Sequence, residues 1–166
     1  LEPFLQAGVP GLWTYYCVGQ FWKVTNSFMA MPAARTRMLG VQLYRYQLEG
    51  FLQWGYNFYH TQLSLANLNP YEVTDAGGVF PSGDAFQVYP GADGKPEESI
   101  RFMLNHLAMQ DLRALEALEA LRGREQVLRL LEECAQGPLT LTDYPRDAAF
   151  FDRLRQRVNK ELSGRL

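Results

Sequence analysis

The sequence predicts an α/β domain, a parallel strand pair with covering helices that runs on into an all-helical tail, and three observations carry that prediction. Residues 12–18 form an aromatic and β-branched run bounded by glycines, which reads as a buried strand. Residues 31–46 place Ala34, Met38 and Val41 at helical spacing. Residues 50–57 are strand-like again, and strand, helix, strand in that order is what a right-handed βαβ unit needs.

The remaining elements follow in chain order. The opening eleven residues are polar and punctuated by Gly and Pro, and residues 19–27 read as a loop with Asn26 and Ser27 as candidate caps. Between Asn57 and Asp84 only a helical turn near residues 63–68 is expected, because Asn69-Pro70, Gly77-Gly78 and Pro81-Ser82-Gly83 break any longer element. Structureless loops beyond about 12–15 residues tend to be functional or disordered. Residues 85–89 predict a third short strand, closed by Pro90-Gly91. Pro96, Glu97 and Glu98 then read as the first turn of a helix, with acids that suit the helix dipole. Ile100, Met103, Leu104, Leu107, Leu112, Leu115 and Leu118 continue it at the helical period, and Gly123 interrupts it. A second helix carries Val127, Leu128, Leu130 and Leu131 to a C-cap at Gly137-Pro138. A last helix sets Phe150, Phe151, Leu154, Val158 and Leu162 on one face.

Composition narrows the function. The chain has 166 residues, 47% of them hydrophobic, and a net charge of -2. That is enough for one domain with its own core, and no apolar run approaches the roughly 18 residues of a membrane span. The balance of 16 basic against 18 acidic residues lacks the basic footprint of a nucleic-acid binder. Of the 22 aromatics 18 fall in residues 1–90, whereas 25 of the 34 charged residues fall in residues 91–166, so the halves differ in aromatic richness and charge density but not in sign. The later charges read as solvated helix faces. Two cysteines, Cys17 and Cys134, cannot make a disulfide scaffold and favour a reducing compartment. The first methionine is Met29, so a native start is expected upstream and localisation stays open.

No P-loop, G-x-G-x-x-G, G-x-S-x-G, C-x-x-C or H-E-x-x-H occurs, which removes common cofactor-binding and hydrolytic classes, and no cofactor is expected. His60 and His106 stand apart from cysteines and carboxylates at ligand spacing, so no metal is expected. His106 reads as a surface or packing residue and His60 as a pocket candidate. What remains is a set of aromatics at strand ends. Sugar rings offer C–H faces that stack on aromatic planes and hydroxyls that need polar partners, so Trp13, Tyr15, Trp54 and Tyr56 are either core residues or a saccharide platform. In a parallel sheet ligands lie beyond the carboxyl ends of strands, which favours Trp54, Tyr56 and Asn57.

These residues carry a resemblance. The segments 13–17, 37–39, 50–57, 83–91 and 99–101, with Gly83-Asp84-Ala85-Phe86-Gln87-Val88-Tyr89-Pro90-Gly91 as the most specific, resemble a bacterial domain of unknown function. That domain forms the C-terminal part of glycoside hydrolase catalytic barrels, including the β-N-acetylgalactosaminidases of glycoside hydrolase family 123. The resemblance covers about residues 10–121. It implies the last strands and helices of a (β/α)₈ TIM-like barrel over residues 1–121, with residues 122–166 as a helical tail packed on it. A whole barrel takes about 250 residues, so the chain is expected to be the C-terminal piece of a larger enzyme.

The resemblance also implies a retaining mechanism. The substrate's 2-acetamido group attacks the anomeric carbon, oriented by an Asp whose neighbouring Glu is the acid/base. No Asp-Glu dipeptide occurs here, so the catalytic pair is expected outside this chain, which alone should be inactive. The residues carried over are the sugar-facing Trp13, Tyr15, Trp54 and Asn57, and Tyr56 is a substrate-binding candidate by its place at the strand end. Asp84 is either a sugar ligand or a turn residue, and Arg37 either a substrate contact or a structural ion pair. Gln53 stands where the family pattern has an aromatic. The expected partner is a glycan containing an amino sugar or a related unit. The alternative is a non-catalytic carbohydrate-binding or self-associating module, and neither nucleic acid nor membrane is expected as a partner.

Overall fold

The computed structural model describes residues 1–164. Helix α1 (Glu2–Gln6) precedes strand β1 (Trp13–Tyr16), helix α2 (Ala33–Arg45) and strand β2 (Gly50–Gln53). Strands β3 (Val88–Pro90) and β4 (Pro96–Glu98) follow, then helices α3 (Ile100–Arg122), α4 (Arg124–Ala135) and α5 (Ala148–Ser163). Strands β1 and β2 are parallel, with Trp13 opposite Gly50 and Tyr15 opposite Leu52, and α2 is the crossover between them. The predicted βαβ unit is therefore present. Both strands are shorter than the sequence predicts, and no closed barrel is formed among the described residues.

The differences have local causes. Helix α1 was hidden by the glycines and prolines of the opening; its Pro3 lies in the first turn, where a missing N–H costs nothing. Asn26 and Ser27 cap no helix, because Pro32 occupies the N-cap position of α2. Strand β2 ends early because the chain turns at Gly55, whose Cβ, were there one, would lie 2.5 Å from the Asp84 carbonyl oxygen. The helical turn expected near residues 63–68 is a short 3₁₀ turn, Gln62–Ser64. The third strand starts at Val88, and its partner is the segment 96–98 that the acids of Glu97 and Glu98 suggested was helical. A turn closes this hairpin: Gly91 N–H donates to the Lys95 carbonyl at 2.8 Å and the Asp93 carboxylate accepts from Lys95 N–H at 3.0 Å. Ser99 then caps α3 by accepting from Phe102 N–H at 3.2 Å. At the end of α4 the left-handed residue is Gln136, one position before the expected glycine.

Helix α2 is the centre of the molecule and is buried on nearly every side. Ala34, Met38, Val41 and Tyr44 pack with Leu115 and Leu118 of α3, Val127, Leu130 and Leu131 of α4 and Phe150, Phe151, Leu154 and Val158 of α5. Its opposite side, Leu39 and Leu43, packs with Tyr16, Leu48 and Ala108 beneath the strand pair. Helices α2 and α3 cross so closely that a Cβ on Gly40 would collide with the Ala108 carbonyl. Arg37 is a structural ion-pair residue: its Nε and Nη2 hold Asp111 at 2.6 and 3.0 Å, its guanidinium lies 4.6 Å from the Phe151 ring centre, and Arg155 of α5 takes the same carboxylate. No helix of the described residues is long and apolar enough to cross a membrane.

Candidate functional site

The carboxyl end of β2 is built by two antiparallel segments. After Gly55 the chain runs beside residues 85–88: Gln87 N–H donates to the Tyr56 carbonyl at 2.7 Å, Phe58 N–H donates to the Ala85 carbonyl at 3.1 Å, and Asn57 bridges Phe86. Gly83 enters this stretch at φ 82, and any side chain there would overlap Arg101. Arg101, itself buried, donates to the carbonyls of Gly83 and Phe86, each at 2.8 Å, and lies over the Phe86 ring. The glycine, the aspartate and the phenylalanine of the most specific segment thus have separate structural reasons: space for a guanidinium, a buried carboxylate, and a ring beneath that guanidinium.

Asp84 is 1% exposed. Its Oδ2 accepts the indole N–H of Trp54 at 3.1 Å, whereas Oδ1 is buried without a partner. Burial pushes the Asp84 carboxyl up to about 6, against the opposing pull of the indole hydrogen bond and of the Arg101 charge. Trp54 is half-buried and packs edgewise on Phe80 and at a tilt on Phe58. Gln53, next in the chain, turns its amide nitrogen toward the carbonyls of Gly55 and Asp84 at 3.4 and 3.5 Å, leaving its Oε1 buried and unpartnered. Two buried acceptors, Asp84 Oδ1 and Gln53 Oε1, thus lack protein partners near the carboxyl end of β2, as buried groups bonded to an ordered water do.

The six residues singled out in the sequence fall into two groups. Trp54 and Asp84 are hydrogen-bonded, and Tyr56 and Asn57 are exposed on the segment just beyond, Tyr56 with its ring edgewise to Phe102. Trp13 and Tyr15 lie on β1, 62% and 54% exposed, with the Trp13 indole over Gly50 and Tyr15 opposite Leu52. Trp13 is thus at the amino end of the strand pair, about 13 Å along the strand from Trp54. A cleft of about 410 Å³ opens beside β1, lined by Phe4, Trp13, Tyr15, Leu39 and Leu43 among others. His60 packs its ring edgewise against Phe58, and His106 is exposed and bonded to Gln110. Cys17 is half-buried and Cys134 buried, both free. Among the described residues no three His, Cys, Asp or Glu side chains converge as metal ligands would.

Two features of the loop that follows β1 are not evident from local sequence pattern. Residues 19–27 read as plain loop, yet Trp22 there is the most exposed tryptophan and has φ 64. Arg35 reads as an ordinary helix position, yet it is buried and ties that loop to α5's approach through Tyr144 Oη at 3.0 Å. Two adjacent aromatics, Phe21 and Trp22, in an otherwise polar loop were the available signal.

In this α/β chain the buried carboxylate of Asp84 and its partner Trp54 meet just beyond the carboxyl end of β2, while Trp13 lies at the opposite end of the strand pair. The chain belongs to the glycoside hydrolase 123 catalytic domain family, whose model matches residues 3–118, more than two thirds of its length. No curated protein matches it.

Proposed function

We propose that the chain supplies a sugar-binding wall of a glycoside hydrolase that acts on a glycan containing an amino sugar or a related unit, while the catalytic carboxylate pair comes from elsewhere in the barrel. In this reading residues 1–121 are the C-terminal strands and helices of a TIM-like barrel and residues 122–166 a helical tail. The observation that carries it is the Asp84–Trp54 hydrogen bond at the carboxyl end of β2, which fixes the plane of a half-buried aromatic ring. Trp54 stacks on the sugar, Tyr56 and Asn57 hydrogen-bond its hydroxyls, Tyr15 lines the wall, and Asp84 acts by holding Trp54. The exposed faces of Trp13, Tyr15 and Leu52 would turn toward the barrel interior. Assaying this chain and the longer reading frame that contains it on aryl β-N-acetylhexosaminides tests the division of labour: turnover by the longer protein alone is expected, and turnover by this chain overturns it.

A second reading is a non-catalytic carbohydrate-binding or self-associating module. The exposed Trp13, Tyr15 and Leu52 on a two-stranded parallel sheet favour it, because parallel sheets are ordinarily covered on both faces. Sedimentation that shows a monomer without glycan binding counts against it.

A further inference from the structure

We propose that Arg101 is a positioning residue for the Trp54 site: from the first turn of α3 it clamps the arch of residues 83–87, and through Asp84 that arch sets the plane of the Trp54 ring. The proposal rests on the reading given under Proposed function and adds to it a residue that touches no sugar yet governs the wall that does.

An arginine at this position is unfavourable for the helix that bears it. Arg101 is the second residue of α3 and only 5% exposed, so its charge is taken out of water and set against the positive end of the helix dipole. A residue serving α3 alone would be neutral or acidic here. What Arg101 holds lies outside the helix. Nη1 donates to the Gly83 carbonyl and Nη2 to the Phe86 carbonyl, each at 2.8 Å, so one planar guanidinium grips the chain on both sides of Asp84 and Ala85. Ser99, which caps α3 by accepting from Phe102 N–H, also donates from Oγ to the Gln87 carbonyl at 2.6 Å. Residues 99–101 therefore engage the carbonyls of Gly83, Phe86 and Gln87, and the missing side chain at Gly83 leaves the space that the guanidinium fills.

The arch in turn holds two parts of the proposed sugar wall. Asp84 Oδ2 accepts the Trp54 indole N–H at 3.1 Å. Gln87 N–H donates to the Tyr56 carbonyl at 2.7 Å and Phe58 N–H to the Ala85 carbonyl at 3.1 Å, which lays Tyr56 and Asn57 alongside the arch. Arg101 is also the charged group that acts on Asp84, drawing its carboxyl down against the lift of burial, as the Trp54 indole does. The Tyr89 phenol of β3 acts on the same guanidinium. Removing Arg101 therefore has two consequences together: the Trp54 ring loses its fixed plane, and Asp84 titrates at a higher pH. A residue that only stabilised α3 would produce neither.

The test follows the Trp54 indole Nε1–H signal of the full chain by NMR from about pH 4 to 8 and titrates each protein with N-acetylgalactosamine. Trp54→Phe assigns the signal, and Asp84→Asn, which removes the carboxyl, identifies its titration. Arg101→Met is expected to raise the midpoint by at least about half a pH unit and to weaken sugar binding about 10-fold. Arg101→Lys keeps the charge but not the two-pronged grip, so its midpoint is expected to stay near that of wild type while affinity falls about 3-fold. Arg155→Ala loosens α3 at Asp111, ten residues and about 15 Å along the helix, and is expected to lower Tm without moving either readout. An unmoved midpoint in folded Arg101→Met overturns the proposal, and so does an affinity that falls as far in Arg155→Ala as in the Arg101 variants. If Arg101→Met does not fold, Arg101→Lys decides, and wild-type affinity in it overturns the clamp. Sugar binding lost in Trp54→Ala but intact in both Arg101 variants removes the positioning role and leaves the reading of the site standing. A raised midpoint in Arg101→Met with no sugar binding by wild type keeps the clamp and overturns that reading.

Discussion

Trp54 and Asp84 are thirty positions apart in the chain and share one hydrogen bond, indole Nε1–H to carboxylate Oδ2 at 3.1 Å, that joins the carboxyl end of β2 to the loop before β3. The bond leaves Asp84 Oδ1 buried and unpaired. The carboxylate is therefore a group that folding burdens, and its consequences can be measured.

The first consequence is a pH dependence. Asp84 ionises at about 6 in the folded chain and near 3.9 when unfolded, so between these values the folded state holds a proton that the unfolded state has released. Its contribution to stability is full below about pH 4 and falls as pH rises through 6, by about 2–3 kcal/mol. Replacing it by Asn keeps an acceptor for Trp54 and removes the titration. The stability of Asp84→Asn relative to wild type is expected to rise between pH 4 and 7 and stay level above, as read by urea unfolding at each pH; a difference that is flat across that window contradicts the account.

Gly83 is expected to tolerate no side chain. Its φ of 82 is unfavourable for any other residue and a Cβ would overlap Arg101, which would lose its bonds to Gly83 and Phe86. Gly83→Ala should cost about 2–4 kcal/mol. Equilibrium denaturation that gives less than about 1 kcal/mol would show that Arg101 moves aside freely.

The ion-pair cluster at Asp111 ties α2, α3 and α5 together. Asp111 is buried and serves both Arg37 and Arg155, so Asp111→Ala leaves two partly buried guanidinium groups without their carboxylate. A loss of about 3–5 kcal/mol is expected, against much less for Arg155→Ala, which leaves Arg37 paired. Equal losses in thermal denaturation would mean that the cluster is not organised around Asp111.

The parts of this molecule that were legible in the sequence are those governed by local pattern. The spacing of Met38 and Val41, the glycine at 123 and the apolar face of Phe150, Leu154 and Val158 each place a helix where it stands. The parallel pairing follows from element order alone. The hairpin of β3 and β4 was not legible because Pro96-Glu97-Glu98 satisfies the chemistry of a helix start equally well, and the decision between them lies in the Gly91 turn and in Ser99 taking the cap. At the site, the aromatics and Asp84 could be named, but their grouping could not. The Trp54–Asp84 bond goes with the close approach that Gly55 permits, and the backbone at Trp22 is held by Arg35, thirteen positions away.

Sugar binding at the Trp54 end of the strand pair is tested most closely by direct titration of the chain with N-acetylgalactosamine, followed by NMR saturation transfer. Saturation of the sugar ring protons by wild type is expected, with an affinity about 10-fold weaker in Trp54→Ala but largely retained in Trp54→Phe. Equal saturation by wild type and Trp54→Ala, or none by a wild type shown to be folded, contradicts it.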